Sequence, residues 1–165
     1  MIFFSIYHYI MEVFIEISKN SKLKYEHDEE NNRIVLDRVL HNTNSFPYNY
    51  GYLPDTLSPD GDPIDIIVLG DYELLPGSWV KCKVIGGIET TDEKGRDDKI
   101  IVVLDDKLDR RSKYINSLSD INKVDLDNIV YFLSHYKDNE KDKHVVIGEI
   151  YDRKKALEII EKFSI

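Results

Sequence analysis

A single cysteine, Cys82, stands in a chain of 165 residues. That scarcity excludes an internal disulfide framework and suits a reducing compartment, so a cytoplasmic setting is expected. No stretch of about 18 apolar residues runs uninterrupted by charge, and no transmembrane helix is expected. Positive charge is also short: 22 Lys and Arg against 31 Asp and Glu give a formal net charge of −9. This balance argues against nucleic acid or an anionic membrane as a partner. Internal repeats, low-complexity tracts and Gly/Ser/Pro linkers are missing, which leaves one domain long enough to bury a core. Met1 to Ile10 is apolar but lacks a basic start and a small-residue cleavage site. Residues 1–11 are therefore expected to be an extension that packs or pairs locally, with a single domain over 12–165.

What the chain does have is carboxylate in a concentrated form. Asp60-Gly61-Asp62-Pro63-Ile64-Asp65 places three of them in six residues. Gly61 allows a free turn, and Pro63 fixes its own φ and disfavours helix at the residue before it, so a rigid loop is expected. Anionic oxygens held close together repel, and hard divalent cations such as Mg²⁺ relieve that repulsion. A solvated acidic turn is the plain alternative.

Ile64 to Val68 reads as a strand. Further strands are expected at Val13–Ile17, Leu23–His27, Arg33–Leu40, Ser78–Glu89 and Lys99–Leu104, separated by turn-rich clusters. The period then changes. Leu126, Ile129, Val130, Leu133 and Tyr136 follow helical spacing with Asp125 as N-cap, and Ala156, Ile159, Ile160 and Phe163 do the same with Asp152 as cap. His144 to Tyr151 between them reads as one more strand. Strands followed by segregated helices point to a predominantly β member of the α+β class, a closed or strongly curved antiparallel sheet with two helices packed outside. Val80 and Val84 put Cys82 on a strand as an inert core or half-buried thiol rather than a nucleophile.

Other charged groups are arranged to complement the acidic loop. Asp92 to Lys99 forms a second acidic turn around Gly95, whose carboxylates can join Asp60 and Asp65. In a strand, Lys24 and Glu26 share a face; Glu16 lies upstream. Arg38 sits among apolar Leu36, Val39 and Leu40, so a partly buried, oriented guanidinium is expected. Tyr48, Tyr50 and Tyr52 offer hydroxyls, and His135-Tyr136-Lys137 ends the first helix, where a lysine complements the helix dipole and Tyr136 continues the apolar stripe. An acidic protein with a local basic cluster can bind an anion once metals join that cluster.

Taken together these motifs resemble the soluble inorganic pyrophosphatases of the first structural class, over about residues 12 to 140. Asp60-Gly61-Asp62-Pro63-Ile64-Asp65 is similar to that family's Asp-x-Asp-Pro-hydrophobic-Asp hallmark. Phe46-Pro47-Tyr48-Asn49-Tyr50-Gly51-Tyr52 is similar to its Pro-x-Asn-Tyr-Gly-Tyr segment. Lys24-Tyr25-Glu26, Asp37-Arg38, Asp92-Glu93 with Gly95, Asp97 and Lys99, and His135-Tyr136-Lys137 follow in the family's order. The resemblance implies a five-stranded closed barrel and hydrolysis of inorganic diphosphate with several Mg²⁺ ions per site. It makes Asp60, Asp65 and Asp97 ligands of one metal, with Asp65 reaching a second and Asp92 with Asp97 holding a third that arrives with substrate. Glu26 would organise metal through water, and Glu16 more peripherally. Asp62 would orient the attacking water, and Lys24, Arg38, Tyr50, Lys99, Tyr136 and Lys137 would grip the phosphoryl groups. The short chain resembles the bacterial type, a homo-oligomer with a hexamer favoured. Phe46 stands where many bacterial members have tyrosine and removes one hydroxyl.

Two other functions fit parts of the pattern. Asp60-x-Asp62 opens like a calcium-binding EF-hand loop of a non-enzymatic module, but its sixth position is Asp65 rather than Gly and its twelfth Asp71 rather than Glu. A hydrolase of other phosphoanhydrides shares the chemistry and differs in substrate, although no Walker-type loop is present.

Overall fold

A computed structural model describes residues 10–165; the expected N-terminal extension lies, for residues 1–9, outside the described residues. Among the described residues nine strands and two α-helices follow in the order Ile10–Ile17 (β1), Leu23–Asp28 (β2), Arg33–Val39 (β3), Asn49–Leu53 (β4), Ile64–Leu69 (β5), Trp79–Asp92 (β6), Gly95–Arg96 (β7), Lys99–Leu104 (β8), Lys123–His135 (α1), Val145–Asp152 (β9) and Arg153–Phe163 (α2). Strands β1, β4, β5, β8 and β6 pair in that order, and β6 returns to β1, closing a five-stranded barrel. β7 and β9 extend the long β6 beyond it, while β2 and β3 form a separate hairpin.

Alternation explains the closure. In β5, Ile64, Ile66 and Val68 enter one apolar cluster and Ile67 the other. In β8, Ile100 and Val102 part from Ile101 and Val103 in the same way. Strands buried on both faces read as continuous β-branched runs, which is how these two appear in the sequence. Helix α2 packs Ala156, Ile159 and Ile160 into the first cluster, and α1 packs Ile129, Phe132 and Leu133 into the second. Cys82 is buried among apolar neighbours, and burial pushes its thiol well above the ordinary range. An inert thiol follows.

Several details depart from expectation. The sheet is mixed: β5 and β8 run parallel, with Asp65 opposite Lys99. The chain leaves β5, traverses β6 and β7, and only then enters β8, a connection long enough to return it in the same direction. The N-cap of α1 is Asn122, whose side chain accepts from Val124 N–H, and not Asp125. Asp125 lies inside the first turn, where its charge complements the helix dipole. Strand β4 carries Tyr50 and Gly51, and its turn-like residues hid it from a reading by propensity.

Gly51 is required by packing. It pairs with Ile15 across β1 and β4, and a Cβ there would stand 1.8 Å from the Phe14 carbonyl oxygen. Backbone cannot yield as a flexible side chain does. Gly51→Ala is expected to cost about 2–3 kcal/mol, in the upper range for overpacking. Denaturant unfolding checks this, and a midpoint equal to that of the unaltered protein would refute the crowding.

Candidate active site

One cavity of about 460 Å³ opens where the β2–β3 hairpin, the Asp60–Asp65 loop, the β6–β8 turn and the end of α1 meet. Its lining contains every residue to which the family resemblance gives a site role: Glu16, Lys24, Glu26, Arg38, Tyr50, Asp60, Asp62, Asp65, Asp92, Asp97, Lys99, Tyr136 and Lys137. The hairpin supplies Lys24, Glu26 and Arg38; the ladder between β5 and β8 supplies Asp65 and Lys99; the C-terminus of α1 supplies Tyr136 and Lys137.

The acidic loop is built as its sequence suggests. Gly61 has φ +91°, available to glycine without strain. The N–H of Asp62 donates to Asp60 Oδ1 at 3.0 Å, and the N–H of Ser58 donates to the Asp62 carbonyl at 2.8 Å. Thr56 Oγ1 accepts from Ile64 N–H and donates to the Leu53 carbonyl, so the loop is anchored at its base. Asp62 remains exposed at the mouth.

At the floor, Lys99 Nζ lies 2.5 Å from both Asp65 and Asp97, above the Tyr50 ring at 5.7 Å. Burial opposes the charge of Lys99, but Asp65, Tyr50 and Asp97 overcome it and hold the ammonium above its ordinary pKa. Burial first, and the charge of Asp65 second, push Asp97 up to about 7. Burial likewise raises Glu16 to about 7, although its carboxylate accepts the His27 N–H at 2.7 Å. Asp60 is raised by burial and by its acidic neighbours. Asp92 goes the other way: burial raises it, but Lys94 N–H and Lys137 outweigh burial and lower it.

Basic groups across the cavity are already paired. Lys24 Nζ contacts Glu26 at 2.7 Å and Asp37 at 3.1 Å, confirming the shared face. Lys137 reaches Asp92 at 3.3 Å. Arg38 is oriented, but not by all the apolar neighbours named for it: Leu40 is buried, while Leu36 and Val39 are about half exposed. Asp37 at 2.6 Å and Glu140 at 3.1 Å hold its guanidinium instead. Tyr136 serves both expectations, stacking on Phe132 at 5.1 Å while lining the cavity.

Sequence reasoning named Tyr52 only as a hydroxyl in its motif and missed other lining residues, among them His27, Glu29 and Lys143. His27 Nδ1 and the Tyr52 hydroxyl are 2.7 Å apart, and Phe14 stacks on the imidazole at 4.0 Å. His27 and Glu29 follow Glu26 on the same hairpin, which was the available signal.

These residues fit metal. Among the described residues no three carboxylate, thiol or imidazole groups converge on one point as they stand; the Lys99 ammonium lies between Asp65 and Asp97. Yet Asp97 Oδ1 is buried without a hydrogen-bond partner. A buried anionic oxygen left unpaired is costly, and a hard cation is the natural partner for it.

Comparison with known proteins agrees with this geometry. The family model for inorganic pyrophosphatase matches residues 13–164. An inorganic pyrophosphatase of Rickettsia typhi is 44% identical over 153 residues, covering 92% of this chain and 86% of that protein. One from Saccharolobus solfataricus is 43% identical over 152 residues, covering 92% and 88%. A solved structure of inorganic pyrophosphatase from Helicobacter pylori superimposes with a TM-score of 0.91 at 40% identity, covering 93% of this chain and 91% of that one. Matched along nearly all of its length in both sequence and fold, the chain belongs to the inorganic pyrophosphatase family.

Proposed function

We propose that this chain hydrolyses inorganic diphosphate to two orthophosphates, with Mg²⁺ as its metal. One observation carries the reading: a single cavity gathers carboxylates, one with an unpaired buried oxygen, together with Lys24, Arg38, Tyr50, Lys99, Tyr136 and Lys137. Carboxylates alone would suit a cation store. Adding the cationic and phenolic groups gives the site a place for a multiply charged anion as well.

Asp60, Asp65 and Asp97 would hold the metal at the floor, Asp92 with Asp97 would hold a further ion, and Glu26 and Glu16 would organise hydration around them. When bound, Mg²⁺ supplies Lewis acidity, making water easier to deprotonate and neutralising phosphoryl charge. Asp62, exposed on the anchored loop, would orient the attacking water and take its proton. The water oxygen bonds to one phosphorus while the bond from that phosphorus to the bridging oxygen breaks. Lys24, Arg38, Lys99 and Lys137 spread the charge of the departing orthophosphate, Arg38 as a planar fork and the lysines as point charges. Tyr50 and Tyr136 donate hydroxyl hydrogens to phosphoryl oxygens.

The test is orthophosphate release from diphosphate with Mg²⁺ and with excess chelator. Release that requires Mg²⁺ is expected; none from folded protein with Mg²⁺ would sink the proposal. Ca²⁺ binding without turnover would favour the calcium-module reading, and comparable rates on tripolyphosphate would widen the substrate class. The family resemblance also supports a homo-oligomer, a hexamer being the favoured form, in the cytoplasm; sedimentation showing only monomer would remove that assembly. Among the described residues no helix is long and apolar enough to cross a membrane.

A further inference from the structure

Asp98 stands between two cavity residues, Asp97 and Lys99, but does not line the cavity itself. Side chains alternate along extended backbone, so its carboxylate turns to the opposite side. There it is 5% exposed. It accepts Arg96 Nε–H at 2.7 Å and Nη2–H at 3.1 Å, and the Tyr151 hydroxyl at 2.6 Å. Tyr151 belongs to β9 and is opposite Gly87 of β6. A Cβ at Gly87 would come within 2.5 Å of the Tyr151 ring, so the ring rests directly on bare backbone. Tyr151 lies beyond the stretch whose motifs carry the family resemblance.

On the cavity side Asp97 is held by its backbone and, through Oδ2, by the Lys99 ammonium at 2.5 Å. Its N–H donates to the Thr90 carbonyl at 2.8 Å, and its carbonyl accepts the Thr90 hydroxyl at 2.5 Å. Its side chain, with Asp60 and Asp65, forms a like-charged group in a poorly solvated place. The turn that carries Asp97 includes Gly95 at φ +118°. Swinging that turn outward would hydrate Asp97 and relieve the repulsion. The buried phenol of Tyr151, carried by β9, resists such a swing, and the bidentate Arg96 guanidinium, on the turn itself, stiffens the turn.

We propose that Arg96, Asp98 and Tyr151 form a positioning network that holds the acidic turn against the repulsion of its own carboxylates and so sets the affinity of the site for Mg²⁺. The inference rests on the metal reading given above. Asp98 and Tyr151 touch neither substrate nor metal; they act through Asp97 and Lys99. Outer partners of this kind typically change metal affinity by about 10–100-fold when removed.

Tyr151→Phe tests it, because the ring and its seat on Gly87 remain and only the donor is lost. Mg²⁺ binding is measured by calorimetry on whole protein without substrate, beside the thermal midpoint of the metal-free form. About tenfold weaker Mg²⁺ binding is expected, the lower end of the outer-partner range. Asp98→Asn, which surrenders the charge facing Arg96 at constant shape, should weaken binding similarly and decides the matter if the first variant fails to fold. Mg²⁺ affinity within twofold of the unaltered protein, whatever happens to the midpoint, makes the network merely structural and overturns the proposal. No Mg²⁺ binding by the unaltered protein overturns the metal reading and this inference together, whereas normal binding there with unchanged variants overturns the inference alone.

Discussion

Asp62→Asn is expected to lower turnover of diphosphate by about a thousandfold, within the range for loss of a positioned general base. Asparagine keeps the shape of the side chain, and the loop does not depend on the carboxylate. The bonds that set the loop use the Asp62 N–H and carbonyl, the Asp60 side chain and Thr56. Asp62 is exposed, so its replacement leaves no buried group unpaired. Stability should stay within about 0.5 kcal/mol, as for surface changes away from special contacts. Asp65→Asn should also cut turnover, but by weakening metal binding rather than by removing a base. Steady-state kinetics across Mg²⁺ concentrations separates the two: high Mg²⁺ should rescue part of the Asp65 variant and none of the Asp62 variant. Near-normal rates for Asp62→Asn would remove its assigned role.

Lys99→Met should give the largest stability effect, about 3–5 kcal/mol in metal-free protein, because it leaves buried carboxylates without their cation. Lys99 is 4% exposed and bridges Asp65 to Asp97. Methionine fills similar volume, so loss of charge rather than a cavity dominates. Protonating one carboxylate relieves the strain. The folded-state pKa is then raised above the unfolded value, and stability present in acid is lost as pH rises. The deficit should therefore widen from about pH 5 to pH 8, the direction required by proton linkage. Mg²⁺ should restore more stability to the variant than to the unaltered protein, since it supplies the missing positive charge. Urea unfolding with chelator and with Mg²⁺ reads both effects. A metal-free loss below about 1 kcal/mol, the scale of a surface ion pair, would show that the bridge is not what holds these carboxylates.

Much of this site was legible because its chemistry is written in short, dense motifs. The loop from Asp60 to Asp65 announces itself by three carboxylates around a glycine and a proline. Lys24 and Glu26 follow from strand alternation alone. Partners drawn from distant segments were harder to find. Nothing local marks Glu140 as the holder of Arg38, because 102 residues separate them. Tyr151 reads as an ordinary core aromatic until the fold sets it beside Asp98. The barrel itself was visible as a series of β-branched runs, but the parallel sense of β5 and β8 depends on where the intervening chain travels. Strand β4 was concealed for a local reason: Asn49 and Gly51 are turn formers, used here for a buried side-chain link and a close backbone approach.

The parallel pairing of β5 with β8 also bears on how the molecule is made. Asp65 and Lys99 are 34 residues apart in the chain and meet only in that ladder. β6 must pair with both β8 and β1 before the circle closes. Such non-local contacts form slowly because chain entropy is lost before they return any stabilisation. No early hairpin or helix contains enough of the cavity to hold an ion. A pocket built from such distant segments is complete only when the barrel is, so a metal bound there would retain the fold once formed rather than template it.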